Sequence, residues 1–181
     1  MKPCVLLVYI TRLLLISLGF STCTKPEPLP NPTQTGQNTF GCLLNGKSWI
    51  PDGGGGWSGI KPLSGGFYGD PRNITRIYVR ARNTQNENIH IYLEKPIVGE
   101  HVLNLSTGYL PNYLYAQSYG YYQASDGQVY ITSAQSTGKV NITKADTVTG
   151  LLSGTFEFKA TTKSGAAVQI TAGRFDMISP Q

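Results

Sequence analysis

The chain has 181 residues, a formal net charge of +5, 21 glycines, three cysteines and two histidines. A length in this range accommodates one domain with its own core, and so small a net charge argues against a protein that depends on attraction to nucleic acid. The two histidines come without a C-x-x-C, H-x-H or H-E-x-x-H pattern, so we expect no metal site and no cofactor.

The N-terminus has the order of a secretory signal. Lys2 and Arg12 supply positive charge, residues 13–20 (LLLISLGF) are apolar, and the small residues Ser21 and Thr22 precede Cys23. A cysteine at that place resembles the lipobox of bacterial lipoproteins, although Thr22 and Phe20 replace its usual residues. We therefore predict that residues 1–22 are a removed signal peptide, which lowers the net charge to +3. Cys23 is then lipidated and anchors the protein in the outer membrane, on its periplasmic or its surface face.

Two alternatives exist for the N-terminus. A membrane-spanning helix needs roughly 20 apolar residues, and Arg12 divides this stretch into two shorter pieces. Cleavage without lipidation gives a secreted protein in which Cys23 and Cys42 are able to form a disulfide. Lipidation of Cys23 instead leaves Cys42 as a single thiol, which we expect to be a buried apolar residue.

Residues 23–39 are predicted to be a tether. Residues 24–38 (TKPEPLPNPTQTGQN) contain prolines at every second position from Pro26 to Pro32 and almost no large apolar side chains. Such a segment is extended and would hold the domain away from the membrane. Residues 40–181 then form a single domain.

Short alternating runs separated by turn residues predict an all-β fold. We expect about eight antiparallel strands in a β-sandwich or a barrel-like meander, and favour the sandwich. The predicted strands are residues 40–44, 48–50, 74–82, 88–94, 128–134, 139–144, 150–161 and 167–177. In the last strand Val168 and Ile170 have the opposite parity to Phe175 and Met177, so we predict a β-bulge at Gly173 that resets the pleat.

Residues 41–48 (GCLLNGKS) satisfy the Walker A pattern letter by letter. A phosphate loop must follow a strand and begin a helix, whereas residues 40–44 are strand-like themselves and Trp49-Ile50-Pro51 does not begin a helix. Asn45-Gly46 is instead typical of a two-residue hairpin turn. We therefore expect no nucleotide ligand.

Aromatic residues are the candidate ligand contacts. Trp57 follows a glycine run, and seven tyrosines fall within residues 109–130. Exposed aromatic side chains commonly stack on sugars or bind partner proteins. The alternative is structural, since tyrosines two residues apart also suit half-buried strands, and it is favoured. The candidate ligand-binding residues are Trp57, Tyr68, Tyr119, Tyr121 and Tyr122.

Arg72, Arg76, Arg80 and Arg82 form the one local basic cluster. They are able to contact an anionic surface, but alternation places three of them on one face of a predicted strand. We expect a solvated strand face with acidic partners on the neighbouring strand.

The sequence contains no nucleophile motif, so no catalytic residue is predicted. Asp52, Asp70 and Asp126 lie in predicted loops without a placeable partner. His90 and Glu94 share one predicted strand face, but their spacing does not demand a metal. We expect that the protein is not an enzyme.

Three stretches together resemble small uncharacterised lipoproteins of Bacteroidota-type bacteria. They are residues 39–51 (TFGCLLNGKSWIP), 95–104 (KPIVGEHVLN) and 138–176 (GKVNITKADTVTGLLSGTFEFKATTKSGAAVQITAGRFD). In that family an N-G-x-x-W hairpin follows a polar tether, and the domain closes with an I-T-K-x-D, S-G-T-F-E-F and G-R-F-D series. The resemblance implies an all-β envelope lipoprotein and no particular activity.

The functional prediction is a lipid-anchored envelope protein that binds a glycan or a partner protein, or has a structural role. One alternative is a hydrolase of envelope polymers that uses loop carboxylates such as Asp52 or Asp70. Another is an accessory subunit of an envelope complex, which requires an exposed apolar patch.

Overall fold

The computed structural model describes residues 28–53, 59, 61–69, 75–94, 97–104 and 118–179, and this part of the chain contains strands and no helix. The all-β antiparallel prediction is confirmed. The described residues contain more strands than expected. They are β1 (Thr39–Leu44), β2 (Lys47–Trp49), β3 (Leu63–Gly69), β4 (Thr75–Arg82), β5 (Asn88–Glu94), β6 (Gly99–Leu103), β7 (Tyr119–Gln123), β8 (Val129–Ile131), β9 (Gly138–Asp146), β10 (Leu151–Thr161) and β11 (Ala167–Ile178).

The strands form one antiparallel sheet in the order β2-β1-β11-β10-β8-β7-β5-β4-β3, with β9 beside β10 and β6 beside β9. Strand β10 makes this branch possible because it pairs with β9 along Leu151 to Phe158 and with β8 only at Thr161. Strands β4 and β5 pair as a hairpin. Strand β6 then crosses to pair with β9, so the second neighbour of β5 in the sheet is β7.

One face of the sheet curls around the main core. Strands β1, β2, β4, β5, β6, β7, β9, β10 and β11 all contribute buried apolar side chains to one cluster. The curl brings β3 against the end of β11, where the amide of Phe67 donates to Ser179 Oγ at 3.3 Å. The largest fully buried apolar residues of this core are Ile77, Ile89, Ile91, Leu93, Leu103, Ile142, Leu152, Ile170 and Met177.

The predicted β-bulge in the last strand is confirmed. Phe156 pairs with Gly173 but Phe158 pairs with Ile170, so β11 has one extra residue there. The left-handed backbone lies at Ala172, with a φ of 50°, rather than at Gly173. The bulge explains why residues of both parities, before and after it, are buried.

The Walker-like residues form the predicted hairpin. Strands β1 and β2 pair directly, with Leu44 opposite Lys47, and the turn residues Asn45 and Gly46 have φ angles of 49° and 79°. Two positive φ angles are those of a type I′ turn. The lysine of the pattern therefore lies in a strand, where no helix N-terminus exists to hold a phosphate.

The end of the proline-rich segment does not extend freely. Asp176 on β11 accepts hydrogen bonds from Thr33 Oγ1 at 2.6 Å and from the amides of Thr35, Gly36 and Gln37 at 3.1, 2.9 and 3.1 Å. We call residues 28–38 the strap. A buried carboxylate therefore binds residues 33–37, in the last third of the predicted tether, to the sheet.

Candidate functional site

A groove runs along the outside of β9, β10 and β11, with β6 at its rim. Its first part has a volume of about 550 Å³, and a second part of about 440 Å³ shares Glu100, Lys139 and Glu157 with it. The lining consists mostly of polar side chains on the exposed parity of these strands. Together the two parts are lined by Pro32, Glu100, Val102, Thr137, Gly138, Lys139, Asn141, Thr155, Phe156, Glu157, Phe158, Lys159, Gln169, Ile170, Thr171, Ala172, Gly173 and Arg174.

Lys139 lies between two carboxylates in the middle of the groove. Its Nζ is 3.2 Å from Glu100 Oε2 and 3.8 Å from Glu157 Oε1, and all three side chains are about half exposed. The hydrogen bond to Glu100 and the charges of both carboxylates raise the pKa of Lys139. Exposed ion pairs contribute little to stability. The main effect of this arrangement is therefore to place three charged, solvent-accessible groups next to one another in the groove.

The β11 bulge lies in the wall of the groove. Ala172 has a φ of 50°, a conformation that costs a non-glycine residue about 1 kcal/mol. Such bulges and strained residues occur often beside binding sites, where they redirect neighbouring side chains. Here the bulge places Arg174, which donates from Nη1 to the carbonyl of Pro30 at 3.1 Å, at the junction of groove and strap.

Three of the predicted ligand contacts lie together on the opposite side of the sheet from the main core. Tyr68, Tyr119 and Tyr121 pack with Tyr92 in a second cluster, which we call the aromatic layer. Tyr92 and Tyr119 stack with ring centroids 5.2 Å apart. Tyr119 is fully buried and Tyr121 is 8% exposed, so these side chains do not form an exposed aromatic surface.

The other two predicted ligand contacts are elsewhere. Tyr122 lies in the main core and donates its hydroxyl to Glu87 Oε1 at 2.6 Å. Trp49 Nε1 donates to the other oxygen of the same carboxylate at 2.8 Å. Tyr122 therefore has a structural contact that ties β7 to the β4–β5 hairpin, and Trp57 is outside the described residues.

Within the arginine cluster, Arg76 is buried, whereas Arg80 and Arg82 are partly exposed. Arg76 is 1% exposed, its Nη2 is 3.8 Å from Glu94 Oε1 on the neighbouring strand, and its guanidinium is 6.0 Å from the centre of the Tyr92 ring. The expected acidic partner is present, but only the arginine of the pair is buried, since the Glu94 side chain is 31% exposed. Arg80 instead donates to Asn88 Oδ1, and Arg72 is outside the described residues.

His90 is a buried neutral base within the same layer. Its ring stacks on Tyr121 at 4.7 Å and meets the edge of Tyr78 at 5.4 Å, and neither ring nitrogen has a hydrogen-bond partner among the described residues. Burial, and then the positive charge of Arg80, lowers the pKa of His90 from 6.5 to about 3. Within the described residues no three His, Cys, Asp or Glu side chains group as metal ligands do.

This depressed pKa predicts a loss of stability in mild acid. The unfolded chain binds a proton near pH 6.5 and the folded chain does not, so the contribution of neutral His90 is complete above that pH and declines as pH falls toward 3. At pH 5 the loss should be about 2 kcal/mol. His90→Phe, which keeps the ring stack, should remove this decline in urea denaturation measured from pH 7 to pH 4. An unchanged decline would contradict the assignment to His90.

The predicted loop carboxylates have structural contacts. Asp52 accepts hydrogen bonds from the amide and hydroxyl of Thr84 at 2.6 and 2.9 Å, and Asp126 accepts one from the amide of Gln128 at 2.9 Å. They stabilise separate turns, and Asp70 is outside the described residues. Sequence analysis missed Glu100 and Glu157, the carboxylates that do come together. The one feature of the sequence that pointed to Glu157 was the alternation of residues 150–161, which places its side chain on the polar, exposed face of the strand.

Cys42 is a free, fully buried thiol in the main core. Desolvation by burial raises its pKa to about 12, so it is inert toward exchange in this position. Cys23 lies outside the described residues.

The residues that the structure describes include no helix able to span a bilayer. Searches of the curated proteins and of the solved structures gave no match. A comparison with protein families matches residues 72–179 to Domain of unknown function (DUF6252). The match covers more than half of the chain and includes every strand from β4 to β11, so the groove strands and Asp176 all lie within it. The chain therefore belongs to the DUF6252 family.

Proposed function

We propose that this protein is a lipid-anchored envelope protein, attached through Cys23, whose β domain is a non-catalytic module that binds a glycan in the groove. The signal-like N-terminus with Cys23 supports export and anchoring. The resemblance to Bacteroidota-type lipoproteins supports the same location. The binding role depends on the groove and is argued from its chemistry.

The observation that carries the proposal is the polar lining of an open groove. Its two parts have volumes of about 550 and 440 Å³, enough for several sugar-sized units in a row. Positive and negative groups alternate around Lys139, which disfavours a strongly charged ligand. Hydroxyl groups both donate and accept hydrogen bonds, so a neutral glycan satisfies the lysine, carboxylate and amide groups together.

Binding of purified envelope polysaccharides and an array of glycans tests this proposal. The double variant Lys139→Ala/Glu157→Ala should weaken binding at least about tenfold, because it removes a charged donor and a charged acceptor from the groove. Both side chains are about half exposed, so the free energy of unfolding should change by less than about 1 kcal/mol. Lys163→Ala in the β10–β11 turn is the matched control and should bind as the unmodified protein does. Failure to bind any glycan, or binding indifferent to the groove variant, would refute the proposal.

A hydrolase is the second candidate, since Glu100 and Glu157 lie in one groove on either side of Lys139. Glycoside hydrolysis uses two carboxylates across the scissile bond. Here both carboxylates already contact Lys139, which favours binding without reaction. Release of reducing ends from a bound polymer, abolished by Glu157→Gln, would establish the hydrolase.

An accessory subunit is the third candidate. Ile97, Val98 and Val102 are 71, 61 and 54% exposed at and before β6, a strand that among the described strands pairs with β9 alone. Sheet edges with apolar neighbours accept an added strand from a partner protein. Cross-linking in the native envelope that captures one protein, and stops in Val98→Lys, would favour this candidate over glycan binding.

A further inference from the structure

The strap is bound to the domain at both of its ends. At one end Asp176 holds residues 33–37, and the amide of Ile178 donates to Asn38 Oδ1 at 3.2 Å. At the other end Arg174 donates to the carbonyl of Pro30, and a methyl group placed on Gly41 would lie 2.7 Å from Pro30 Cδ. The strap therefore behaves as part of the sheet from Pro30 onward.

This attachment shortens the reach of the membrane anchor. Pro30 is the seventh residue after Cys23, and a fully extended chain spans at most about 3.6 Å per residue, so the two Cα atoms are within about 25 Å of each other by any path. A tether free as far as Thr39 would reach about 58 Å on the same basis. The strap removes more than half of that distance.

The fixed point of the strap is at the groove. Arg174 contacts Pro30 and lines the groove, and Pro32 forms part of the groove wall. From these contacts we infer that the strap holds the Arg174 end of the groove beside the bilayer, so that the groove serves ligands carried at the membrane surface. This inference rests on the proposed anchoring through Cys23.

Energy transfer on vesicles tests the placement. The protein recovered from membranes is reconstituted into phosphatidylcholine vesicles containing a head-group-labelled acceptor lipid. One fluorescent donor is attached either at Thr155→Cys in the groove or at Ser164→Cys in the β10–β11 turn. Cys42 is buried and does not compete for the label. The two label sites are well separated along β10. Thr161, which directly precedes the turn, is six residues and therefore about 20 Å from Thr155.

Transfer from Thr155 should exceed transfer from Ser164. Ten Gly/Ser residues inserted after Glu27 leave every strap contact in place and supply a flexible spacer whose own average end-to-end distance is about 17 Å, so they should lower transfer from Thr155 about twofold or more. Equal transfer from both sites, without response to the insertion, would overturn the inference while leaving the anchor intact. Protein that does not float with the vesicles would instead overturn the anchoring, and this inference with it, while glycan binding is measured independently.

Discussion

Gly65→Ala should lower the free energy of unfolding by at least about 3 kcal/mol. Gly65 lies in β3 with a φ of 133°, which is unfavourable for any side chain. A methyl group there would also overlap the carbonyl oxygen of Tyr78 and approach the Cα of Val79 to 3.1 Å. The cost combines backbone strain with an overlap that only movement of the neighbouring strand relieves.

Two alanine variants separate these causes in the same urea denaturation experiment. Gly127 has a φ of 85° but nothing within 4 Å of an added methyl group, so Gly127→Ala measures the backbone strain alone. Gly69, at the end of β3, has no positive φ and no atom within 4 Å of an added methyl group. Gly69→Ala should therefore change the free energy of unfolding by less than about 1 kcal/mol. A loss at Gly65 no larger than at Gly127 would show that β3 does not approach β4 as closely as described.

Asp176→Asn should lower the free energy of unfolding by about 3 kcal/mol. The carboxylate is 1% exposed and also accepts a hydrogen bond from Ser153 Oγ at 2.7 Å, in addition to those of the strap. An amide replaces one acceptor by a donor, which then faces groups that are themselves donors. The amides of Thr35, Gly36 and Gln37 should lose protection from hydrogen exchange in the same variant.

Asp176 also predicts a second, lower acid transition. Burial alone would raise its pKa, but the hydrogen bonds from Thr33, Ser153 and the amides of Gln37 and Gly36 prevail and lower it from 3.8 to about 2. The stability it provides is complete above pH 3.8 and is lost as pH falls toward 2, by about 2 kcal/mol in total. The His90→Phe background isolates this transition from that of His90. Its persistence in Asp176→Asn would contradict the assignment.

The local sequence pattern was sufficient to predict a strand and its buried face where the alternation of apolar and polar residues agrees with the observed burial. β5 was predicted with its observed bounds, and the apolar side chains that alternate along β10 lie in the core, because a two-residue period fixes which face is buried. β3 was missed because Gly65-Gly66 indicates a loop, whereas close approach to β4 and to Ser179 requires glycine there. Ser153 has the exposed parity of β10, and it is buried because Asp176 binds it.

The candidate site was less accessible to sequence analysis. The groove combines β6 with three later strands and with the strap, and no local spacing predicts such pairings. The tyrosine cluster shows the same limit. Its strand periodicity was visible, but the burial of Tyr119 and Tyr121 depends on Tyr92 and His90 from a neighbouring strand.

The central claim of a lipid-anchored module is tested most directly by the intact mass of the protein from the membrane fraction of its native host, measured with and without reduction. We predict a chain that begins at Cys23, carries diacylglyceryl and acyl groups, and keeps its mass on reduction because Cys42 is a buried free thiol. An unlipidated chain that gains two protons on reduction would reveal a disulfide between Cys23 and Cys42 in a secreted protein, and would contradict the anchor.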